Sequence, residues 1–543
     1  MKNINYYNTV KYDNFNKMIE AMNTSYSETI AIKYFEKNKI KEMSYSEVVE
    51  EISSIYNYLK IKKIDNKNIG IISENRYEYI TIYLASVFNN VICPIDKELT
   101  DESLKKLIDK FDIEVLFYTN KMKDKLSLIN KREKRLINID EEYSKITNKK
   151  YDVDKFLKDT KNIDKNKFSV LAFTSGTTDE MKGVMLSQYN ILSNLRAAVE
   201  NNNLKNPTLS VLPMNHTYGF NPGVLNTLYN GTTLCLNLDL KHIVRDMKIF
   251  DPYFIAVVPM MVEGMYKNII ATAKRTKKYN LLKAMIKISN LLLKIKIDLR
   301  KVFFGNILNK RLTLMVSGGA SLNPVYIEKF EELGIKILNG YGLTECSPLV
   351  AVNREINNIP GSVGTIIKDD KVKIEKDGEI LVKGPNIMLG YYKDENATKK
   401  AIIDGYFKTG DFGYKKDNIL YITGRKKNLI ILENGKNFSP ELIEEKLLNL
   451  DYIKECLVTT KKKNKISIII AKIYMEETSS KLDEDIKKIN ETLPNYMQID
   501  EYEIMETEFE KNSSKKIIRS KYVKWIKKND ERKLWYNKYK TNI

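Results

Sequence analysis

The sequence has few cysteines and no long hydrophobic run. Its four cysteines are Cys93, Cys235, Cys346 and Cys456, too far apart for the paired spacing of a zinc site. Isolated cysteines are typical of free thiols in a reducing compartment, so we predict a cytoplasmic protein. No run of about 18 apolar residues occurs, so no membrane-spanning helix is predicted. The polar first six residues lack the apolar core of a signal peptide.

Acidic residues are outnumbered, and arginine is scarce among the basic ones. Lys and Arg total 90 against 70 Asp and Glu, which gives a formal net charge of +20. Such an excess is common in nucleic-acid-binding proteins. Here, however, lysine is frequent along the whole chain, and the basic residues are not interleaved with stacking aromatics. We therefore predict no nucleic-acid partner; the charge favours anionic ligands or an anionic membrane surface.

The length and patterning predict several domains. At 543 residues the chain exceeds one ordinary core. Apolar strand-like runs alternate with helical patterns over residues 28–130, which is typical of α/β domains with covered parallel sheets. The charged residues 120–165 are weakly patterned and are predicted to be a surface excursion. Short strands with turns between residues 379 and 422 predict an all-β subdomain, and a smaller α+β unit follows.

Residues 265–311 combine many basic residues with a single acid, Asp298. Leu281, Leu282, Met285 and Ile288 lie between the charges at the spacing of an amphipathic helix. Two interpretations remain open. The helix packs on its domain with lysine stems covering apolar surface, or it docks on an anionic membrane, at the inner face of the cell membrane. The pattern favours the first.

Residues 173–183, which run FTSGTTDEMKG, follow a buried strand-like run. Small hydroxyl residues and glycines let backbone N–H groups approach phosphate oxygens, and Lys182 adds a positive charge. The usual P-loop pattern is absent because Met181 precedes the lysine and Gly183 follows it. A loop of this composition is more often a plain turn, so its assignment depends on motifs further along the chain.

Three later loops carry polar or small residues just beyond predicted strands. His216 lies in such a loop, where α/β enzymes place ligands. In residues 317–320 (SGGA) the glycines let a flat ring lie against the backbone. Residues 339–345 (NGYGLTE) offer an aromatic ring, a hydroxyl and a carboxylate, which suit a purine, a phosphate and a magnesium ion.

Taken together and in order, these stretches resemble the adenylate-forming (AMP-binding) superfamily, which includes acyl-CoA synthetases and firefly luciferase. The resemblance spans nearly the whole chain. The matching segments are residues 173–183 (phosphate loop), 340–345 (Tyr-Gly-x-Thr-Glu), 409–411 and 424–425 (ribose-binding), 493–497, and 512–517 (C-terminal lysine). Residues 341–348, 388–392 and 424–428 are most similar to long-chain fatty acyl-CoA synthetases.

The resemblance implies an α/β fold. Residues 1–423 would form a large domain of two covered, mostly parallel sheets with a small β-barrel-like subdomain. Residues 424–543 would form a small, mobile α+β domain hinged near Lys427. The implied reaction activates a long-chain fatty acid with ATP and Mg²⁺ to acyl-AMP, releasing pyrophosphate, and then transfers the acyl group to coenzyme A. Rotation of the small domain would separate the two halves.

The same resemblance implies the site residues. Lys516 would bridge the acyl carboxylate and α-phosphate, His216 would lie by the carboxylate, Thr344 near the α-phosphate, and Glu345 would bind magnesium. Lys516 is chosen over Lys515 because the family's lysine directly precedes the matched isoleucine. The implied nucleotide- and coenzyme-binding residues are Thr174, Ser175, Gly176, Thr177 (also a metal ligand), Thr178, Lys182, Gly318, Gly319, Ala320, Asn339, Gly340, Tyr341, Gly342, Asp411, Arg425, Lys427, Gly435 and Lys436.

The sequence departs from the family pattern at a few positions. Asp179 and Met181 replace the usual Gly and Pro of the phosphate loop, and Gln188 replaces a common His. With Glu180, Asp179 brings negative charge near a triphosphate, which predicts weaker ATP binding unless both side chains point outward.

Three alternatives to the long-chain reaction remain open at this stage. The acid is medium-chain, branched or aryl; the acceptor is an acyl carrier protein; or the protein binds nucleotide or acyl groups without catalysis. The sequence gives no prediction of oligomeric state.

Overall fold

The computed structural model describes residues 6–522 except residues 38, 131, 175–180, 204, 238, 433–435, 464–465, 477–478 and 512–516. The chain divides into two compact units, with the boundary between Ile422 and Thr423. None of the helices in these described residues has both the length and the apolar character of a membrane-spanning segment.

The described helices precede or follow strands along most of the chain. They are α1 (Phe15–Thr24), α2 (Tyr45–Ile61), α3 (Tyr77–Ser86), α4 (Asp101–Lys110), α5 (Ile139–Thr147), α6 (Val153–Thr160), α7 (Gln188–Asn201), α8 (Thr217–Phe220), α9 (Asn226–Tyr229), α10 (Ile243–Phe250), α11 (Pro259–Arg275), α12 (Tyr279–Lys294), α13 (Arg300–Phe304), α14 (Pro324–Glu332), α15 (Glu395–Ala401), α16 (Glu441–Leu448) and α17 (Leu482–Glu491). A π-helical turn, Asn221–Leu225, joins α8 to α9.

The described strands form two large sheets and two small ones. They are β1 (Ile30–Glu36), β2 (Lys39–Ser44), β3 (Asn68–Ile72), β4 (Val91–Pro94), β5 (Ile113–Tyr118), β6 (Arg135–Asn138), β7 (Phe168–Phe173), β8 (Gly183–Ser187), β9 (Thr208–Ser210), β10 (Leu234–Leu236), β11 (Phe254–Val257), β12 (Leu314–Ser317), β13 (Lys336–Gly342), β14 (Leu349–Val352), β15 (Gly364–Ile366), β16 (Lys371–Ile374), β17 (Glu379–Lys383), β18 (Gly390–Tyr391), β19 (Ile402–Ile403), β20 (Tyr406–Lys416), β21 (Ile419–Arg425), β22 (Ile430–Ile431), β23 (Asn437–Phe438), β24 (Glu455–Lys463), β25 (Ile466–Tyr474) and β26 (Glu501–Met505).

One sheet of the first unit carries the phosphate loop. Its order is β18-β8-β7-β4-β3-β5-β6, and β3 to β7 run parallel while β8 and β18 are antiparallel. The runs in β3 and β7 are apolar because helices cover parallel strands on both faces. Residues 174–182 connect β7 to β8, so the loop is the turn of an antiparallel hairpin.

A second, 14-stranded sheet carries the remaining loops of the first unit. Neighbouring strands β10, β9, β11, β12 and β13 are parallel, so the loops after them emerge at one edge. The predicted all-β stretch is not separate: its strands continue this sheet as an antiparallel extension beyond β13. The α/β architecture predicted from the sequence, including the smaller second unit, is confirmed.

The prediction of a surface excursion at residues 120–165 was wrong. Strand β6 pairs with β5 in parallel, and helices α5 and α6 follow it. Phe156 of α6 is fully buried, with its ring 5.2 Å from that of Tyr56. The lysine-rich composition hid these elements, because α6 buries only Phe156 and Thr160 while its other residues stay charged or partly exposed.

The second unit is a small α+β structure. Strands β24, β25 and β26 form its larger sheet, and α16 and α17 are its described α-helices. Arg519 donates two hydrogen bonds to the buried carboxylate of Glu444, at 2.8 and 3.0 Å. Lys511 and Ile517 form an isolated antiparallel β-bridge. The residues that flank the predicted lysine motif are therefore tied to this unit's core.

Candidate active site

The ends of the phosphate loop are joined by two hydrogen bonds. The Thr174 N–H donates to the Lys182 carbonyl at 3.1 Å, and the Lys182 N–H donates to Thr174 Oγ1 at 3.2 Å. The hairpin therefore presents Thr174 and Lys182 side by side. The predicted phosphate-binding residues between them lie outside the described residues: Ser175, Gly176, Thr177 and Thr178, with the acidic Asp179 and Glu180.

Two of the departures from the family pattern have structural partners. Met181 is buried in an apolar cluster that includes Phe111, and its carbonyl accepts a hydrogen bond from Lys110 Nζ at 2.8 Å. Gln188 is also buried; its side chain accepts from the Phe15 N–H and donates to the Val87 carbonyl, each at 3.0 Å. Met181 therefore packs beside the loop, while Gln188 makes buried hydrogen bonds at the opposite end of β8.

Tyr391 joins the phosphate loop to the predicted metal ligand. Lys182 Nζ lies 4.4 Å from the centre of the Tyr391 ring, and the Tyr391 hydroxyl donates to Glu345 Oε1 at 3.0 Å. Burial and the Glu345 carboxylate raise the pKa of Tyr391, so the phenol stays a neutral donor. No role for Tyr391 was predictable from the sequence; its place after Gly390 on β18, beside β8, brings it to both partners.

The loop that carries Glu345 turns back sharply on β13. The Leu343 N–H donates to the Pro348 carbonyl at 2.8 Å. At Gly342 an added Cβ would lie 2.1 Å from that carbonyl oxygen, so only glycine fits. The predicted motif glycine is therefore required by the turn itself.

Three buried asparagines that the sequence analysis missed hold this loop. Asn194 Nδ2 donates to the Leu349 carbonyl at 2.7 Å, and Asn221 Nδ2 donates to the Ser347 carbonyl at 2.9 Å. Asn386 Nδ2 lies 3.1 Å from the carbonyls of both Cys346 and Leu349. Buried carbonyls need such partners, and the sequence offers no periodic pattern that would reveal donors from three distant segments.

His216 and Thr344 belong to adjoining loops. Thr217 Oγ1, next to His216 in the chain, lies 3.5 Å from Thr344 Oγ1. His216 immediately precedes α8. It also lines a small, mainly apolar cavity, whose walls include Tyr83, Val170, Leu186, Met214 and Phe220. The predicted carboxylate-side histidine thus lines this cavity and is the chain neighbour of one of the two hydroxyl residues.

The glycines after β12 already face a ring of the protein. An added Cβ on Gly318 would lie 2.8 Å from Cζ of Tyr218, whose hydroxyl donates to the Val316 carbonyl at 2.8 Å. Gly319 has a φ of +83°, and both Gly319 and Ala320 are exposed. The flat ring at Gly318 is therefore Tyr218, and the open backbone of this loop is at Gly319 and Ala320.

The predicted base and ribose residues meet at β13 and β20. The Tyr341 hydroxyl donates to Asp411 Oδ2 at 2.8 Å, and Asp411 is buried. Burial, followed by the Asp411 charge, raises the pKa of Tyr341 well above its usual value. Asn339, next to Gly340 on β13, is buried; its Nδ2 donates to the Ser362 carbonyl at 3.2 Å, while its Oδ1 has no hydrogen-bond partner among the described residues.

The remaining predicted residues lie in the second unit. Arg425 is half-buried at the end of β21, and Lys427 is exposed in the short turn Lys426–Asn428. Lys436 is exposed, with its Nζ 4.5 Å from the centre of the Tyr496 ring. Gly435 and Lys516 lie outside the described residues.

The donor set around Glu345 fits magnesium. Among the described residues no group of three or more His, Cys, Asp or Glu could hold a metal ion. Mg²⁺ typically takes one or two carboxylates and completes its shell with water and substrate phosphates. A single half-buried carboxylate oriented by Tyr391 suits that arrangement.

Comparison with known proteins gives a consistent result. The model of the AMP-binding enzymes matches residues 19–392, and that of the AMP-binding enzyme C-terminal domain matches residues 427–531. Long-chain-fatty-acid–CoA ligase FadD15 of Mycobacterium bovis is 29% identical over 331 residues, 56% of this chain and 54% of that protein. Long-chain-fatty-acid–CoA ligase 5 of Rattus norvegicus is 28% identical over 74% of this chain and 67% of its own. The chain spans about half the length of the first of these.

Solved structures show the same fold. The anthranilate–CoA ligase AuaEII in complex with anthranoyl-AMP has a TM-score of 0.76 at 17% identity, with 96% of this chain and 97% of that chain covered. ATP-bound MatB from Rhodopseudomonas palustris has a TM-score of 0.77 at 19% identity, with 94% and 98% covered.

Proposed function

This chain belongs to the family of AMP-binding enzymes, and we propose that it activates a carboxylic acid with ATP and transfers the acyl group to coenzyme A. The acid we propose is a long-chain fatty acid, as in the names of the curated relatives. ATP, Mg²⁺ and coenzyme A are the co-substrates and cofactor of this reaction.

One set of contacts carries the proposal. Lys182 lies over the Tyr391 ring, and Tyr391 binds Glu345. The neighbouring Thr344 reaches Thr217, beside His216. Four segments that are distant in sequence therefore meet in one place, and together they supply a cation, a carboxylate, hydroxyls and an imidazole.

The first half-reaction joins two anions. An oxygen of the substrate carboxylate attacks the α-phosphorus, the bond to the bridging oxygen of pyrophosphate breaks, and acyl-AMP forms. Catalysis is then mainly positioning and charge stabilisation. We assign Lys182 and the loop hydroxyls to the β- and γ-phosphates, and Glu345 and Thr177 to the metal. When bound, Mg²⁺ neutralises phosphate charge and orients the leaving group.

The nucleoside is assigned to the Tyr341 side of the site. The unpartnered acceptor Asn339 Oδ1 suits the amino group of adenine, since a buried acceptor without a donor costs free energy. The Asp411 carboxylate, which now accepts from Tyr341, suits the ribose hydroxyls. Gly319 and Ala320 offer exposed backbone beside the base.

The second half-reaction uses coenzyme A. Its thiolate attacks the acyl carbonyl, and the bond to the AMP oxygen breaks. We assign Lys516 to the first half-reaction and Gly435 and Lys436 to the second, with Lys427 as the hinge between them. A rotation of this kind lets one small domain serve two steps.

The experiment supplies a fatty acid labelled with oxygen-18 in its carboxylate, together with ATP, Mg²⁺ and coenzyme A, and locates the label in the products. The proposal predicts acyl-CoA and one labelled oxygen in AMP. Label in inorganic phosphate, with ADP as the product, would contradict an adenylate mechanism.

A second experiment tests the assignment of a long-chain acid and of coenzyme A as acceptor. Activity is compared over a panel from acetate to long-chain and aryl acids, with coenzyme A or a holo acyl carrier protein as acceptor. A maximum with aryl acids or with the carrier protein would overturn the assignment.

A further inference from the structure

Helix α12 exposes a row of large aliphatic side chains. The exposed residues on this helix and the segment after it are Leu281 (56%), Ile288 (50%), Leu291 (62%), Ile295 (66%) and Val302 (74%). Single exposed aliphatics are ordinary, but a contiguous apolar patch on a described surface marks an interaction site. We call the outward surface of residues 279–302 the α12 face.

The buried and exposed apolar residues of α12 lie on two different stripes. Leu282 and Ser289 are buried, and Met285 packs beside them on the core of the unit. Leu281, Ile288 and Leu291 fall within about 80° of one another at about 100° per residue, on a stripe whose centre lies about 100° around the helix from that of the buried one. Packing on the domain accounts for the first stripe and leaves the second unexplained.

The charge of this region exceeds the lysine bias of the chain. Residues 265–311 hold thirteen Lys and Arg and one acid, a net charge of +12, against +20 for all 543 residues. A compositional bias would leave the acids in place, and 70 acids in 543 residues correspond to about six in a segment of this length. The acids are therefore specifically depleted where the aliphatics are exposed.

Most of these cations are not used inside the protein. Arg300 pairs with Asp298 and Glu331, and Arg311 pairs with Asp251. Within the described ranges the lysines on and before α12 form no salt bridge: Lys274, Lys277, Lys278, Lys283, Lys287 and Lys294. Lys274 and Lys283 lie over the ring of Tyr279 instead. Their charge is therefore directed at solvent or a partner.

We propose that the α12 face docks on an anionic lipid bilayer. Leu281, Ile288 and Leu291 would enter the boundary between headgroups and acyl chains, with the flanking lysines at the anionic headgroups. A second copy of the chain is disfavoured as the occupant because two faces of the same positive sign repel. An acidic protein partner would complement the positive charge, but it would not account for the exposed aliphatic stripe along a helix of 16 residues. The inference does not depend on the proposed reaction.

The test is co-sedimentation of the full chain with phosphatidylcholine vesicles with and without phosphatidylglycerol. We expect binding at least tenfold stronger with the anionic lipid, weakened by salt. Combining Lys283→Gln, Lys287→Gln and Lys294→Gln should lower binding at least tenfold, and so should Leu281→Ser with Ile288→Ser and Leu291→Ser. Matched controls elsewhere on the surface should leave it unchanged: Lys62→Gln, Lys63→Gln and Lys149→Gln, or Ile61→Ser, Leu128→Ser and Ile356→Ser.

A probe separates insertion from charge attraction alone. All four native cysteines are buried, so an environment-sensitive dye can be placed at Ile288→Cys, with Ile61→Cys as the control. Docking predicts a blue shift at position 288 alone. Equal vesicle binding by all variants, or no shift at position 288, would overturn the proposal. In another outcome, the parent protein fails to bind vesicles but binds an acidic carrier protein, and the α12-face variants lose that binding. Such a result would also overturn the proposal and would assign the α12 face to a protein partner. Unchanged thermal melting establishes that each variant is folded.

Discussion

The Glu345 loop of the first unit and the candidate lysines of the second are held in different ways. In the first unit the Glu345 loop is fixed by three buried asparagines and by Tyr391. In the second unit Lys427 and Lys436 are exposed. Fixed groups suit the stabilisation of charge that develops at one place. Exposed groups suit residues that act in one half-reaction and withdraw in the other, as we propose for the second unit.

The largest effect should come from the second unit and separate the two half-reactions. We expect Lys516→Ala to lower acyl-AMP formation roughly 10²- to 10³-fold, because a charge that offsets the meeting of two anions is lost. Thioester formation from supplied acyl-AMP should be unchanged, as measured by acyl-CoA release. Lys515→Ala is the matched control and should leave both steps intact. Equal loss of both steps would refute this division of labour.

A similar or smaller loss should follow from removing the metal carboxylate. Glu345→Gln retains an oxygen for the Tyr391 hydroxyl, so the loop should stay in place while affinity for Mg²⁺ falls. We expect adenylation to fall roughly 10²-fold and higher Mg²⁺ to restore part of it. Glu355→Gln, at another half-buried carboxylate, serves as the control. An unchanged Mg²⁺ dependence would exclude Glu345 as a ligand.

A moderate effect should follow from the ring that joins Lys182 to Glu345. Tyr391→Phe keeps the ring face under Lys182 but removes the hydrogen bond to Glu345, whose net value is about 1.5–3 kcal/mol for a charged partner. We expect a roughly tenfold lower rate and a higher Mg²⁺ requirement. Tyr392→Phe, which removes hydrogen bonds to Asp112 and Asn68 instead, should change neither. Identical behaviour of the two variants would mean that Tyr391 is structural only.

The smallest effect concerns the support beneath the Glu345 loop. Asn386, which holds this loop, also donates from Nδ2 to Oδ2 of Asp370 at 3.0 Å. Burial raises the pKa of Asp370 from 3.8 to about 8. Between these values the folded state binds more protons than the unfolded one, so the stability contributed by Asp370 is lost as pH rises toward 8.

Asparagine imitates the protonated form and removes this dependence. The melting temperature of Asp370→Asn minus that of the parent protein should therefore rise from about pH 5 to about pH 9. A difference that stays constant across that range would show that Asp370 does not titrate there.

The sequence was sufficient where a local pattern has a structural consequence. The apolar run before the phosphate loop predicted β7, and a strand was also predicted before residues 339–345. That strand, β13, continues through Gly342, so residues 339–342 were wrongly placed in the loop, while Glu345 follows the strand as predicted. Long-range contacts were not predictable in the same way. Asn194, Asn221 and Asn386 come from three segments, and only folding shows that they meet at one loop. Helix α6 was missed because its single large buried side chain, Phe156, leaves little periodicity.

We propose above all that the chain forms an acyl-adenylate as a separate step. The most direct measurement is exchange of labelled pyrophosphate into ATP without coenzyme A, with a long-chain fatty acid and Mg²⁺. We expect exchange that requires both the acid and the metal. Absence of exchange with every acid tested, in a protein that still binds ATP, would contradict it and show a nucleotide-binding protein without catalysis.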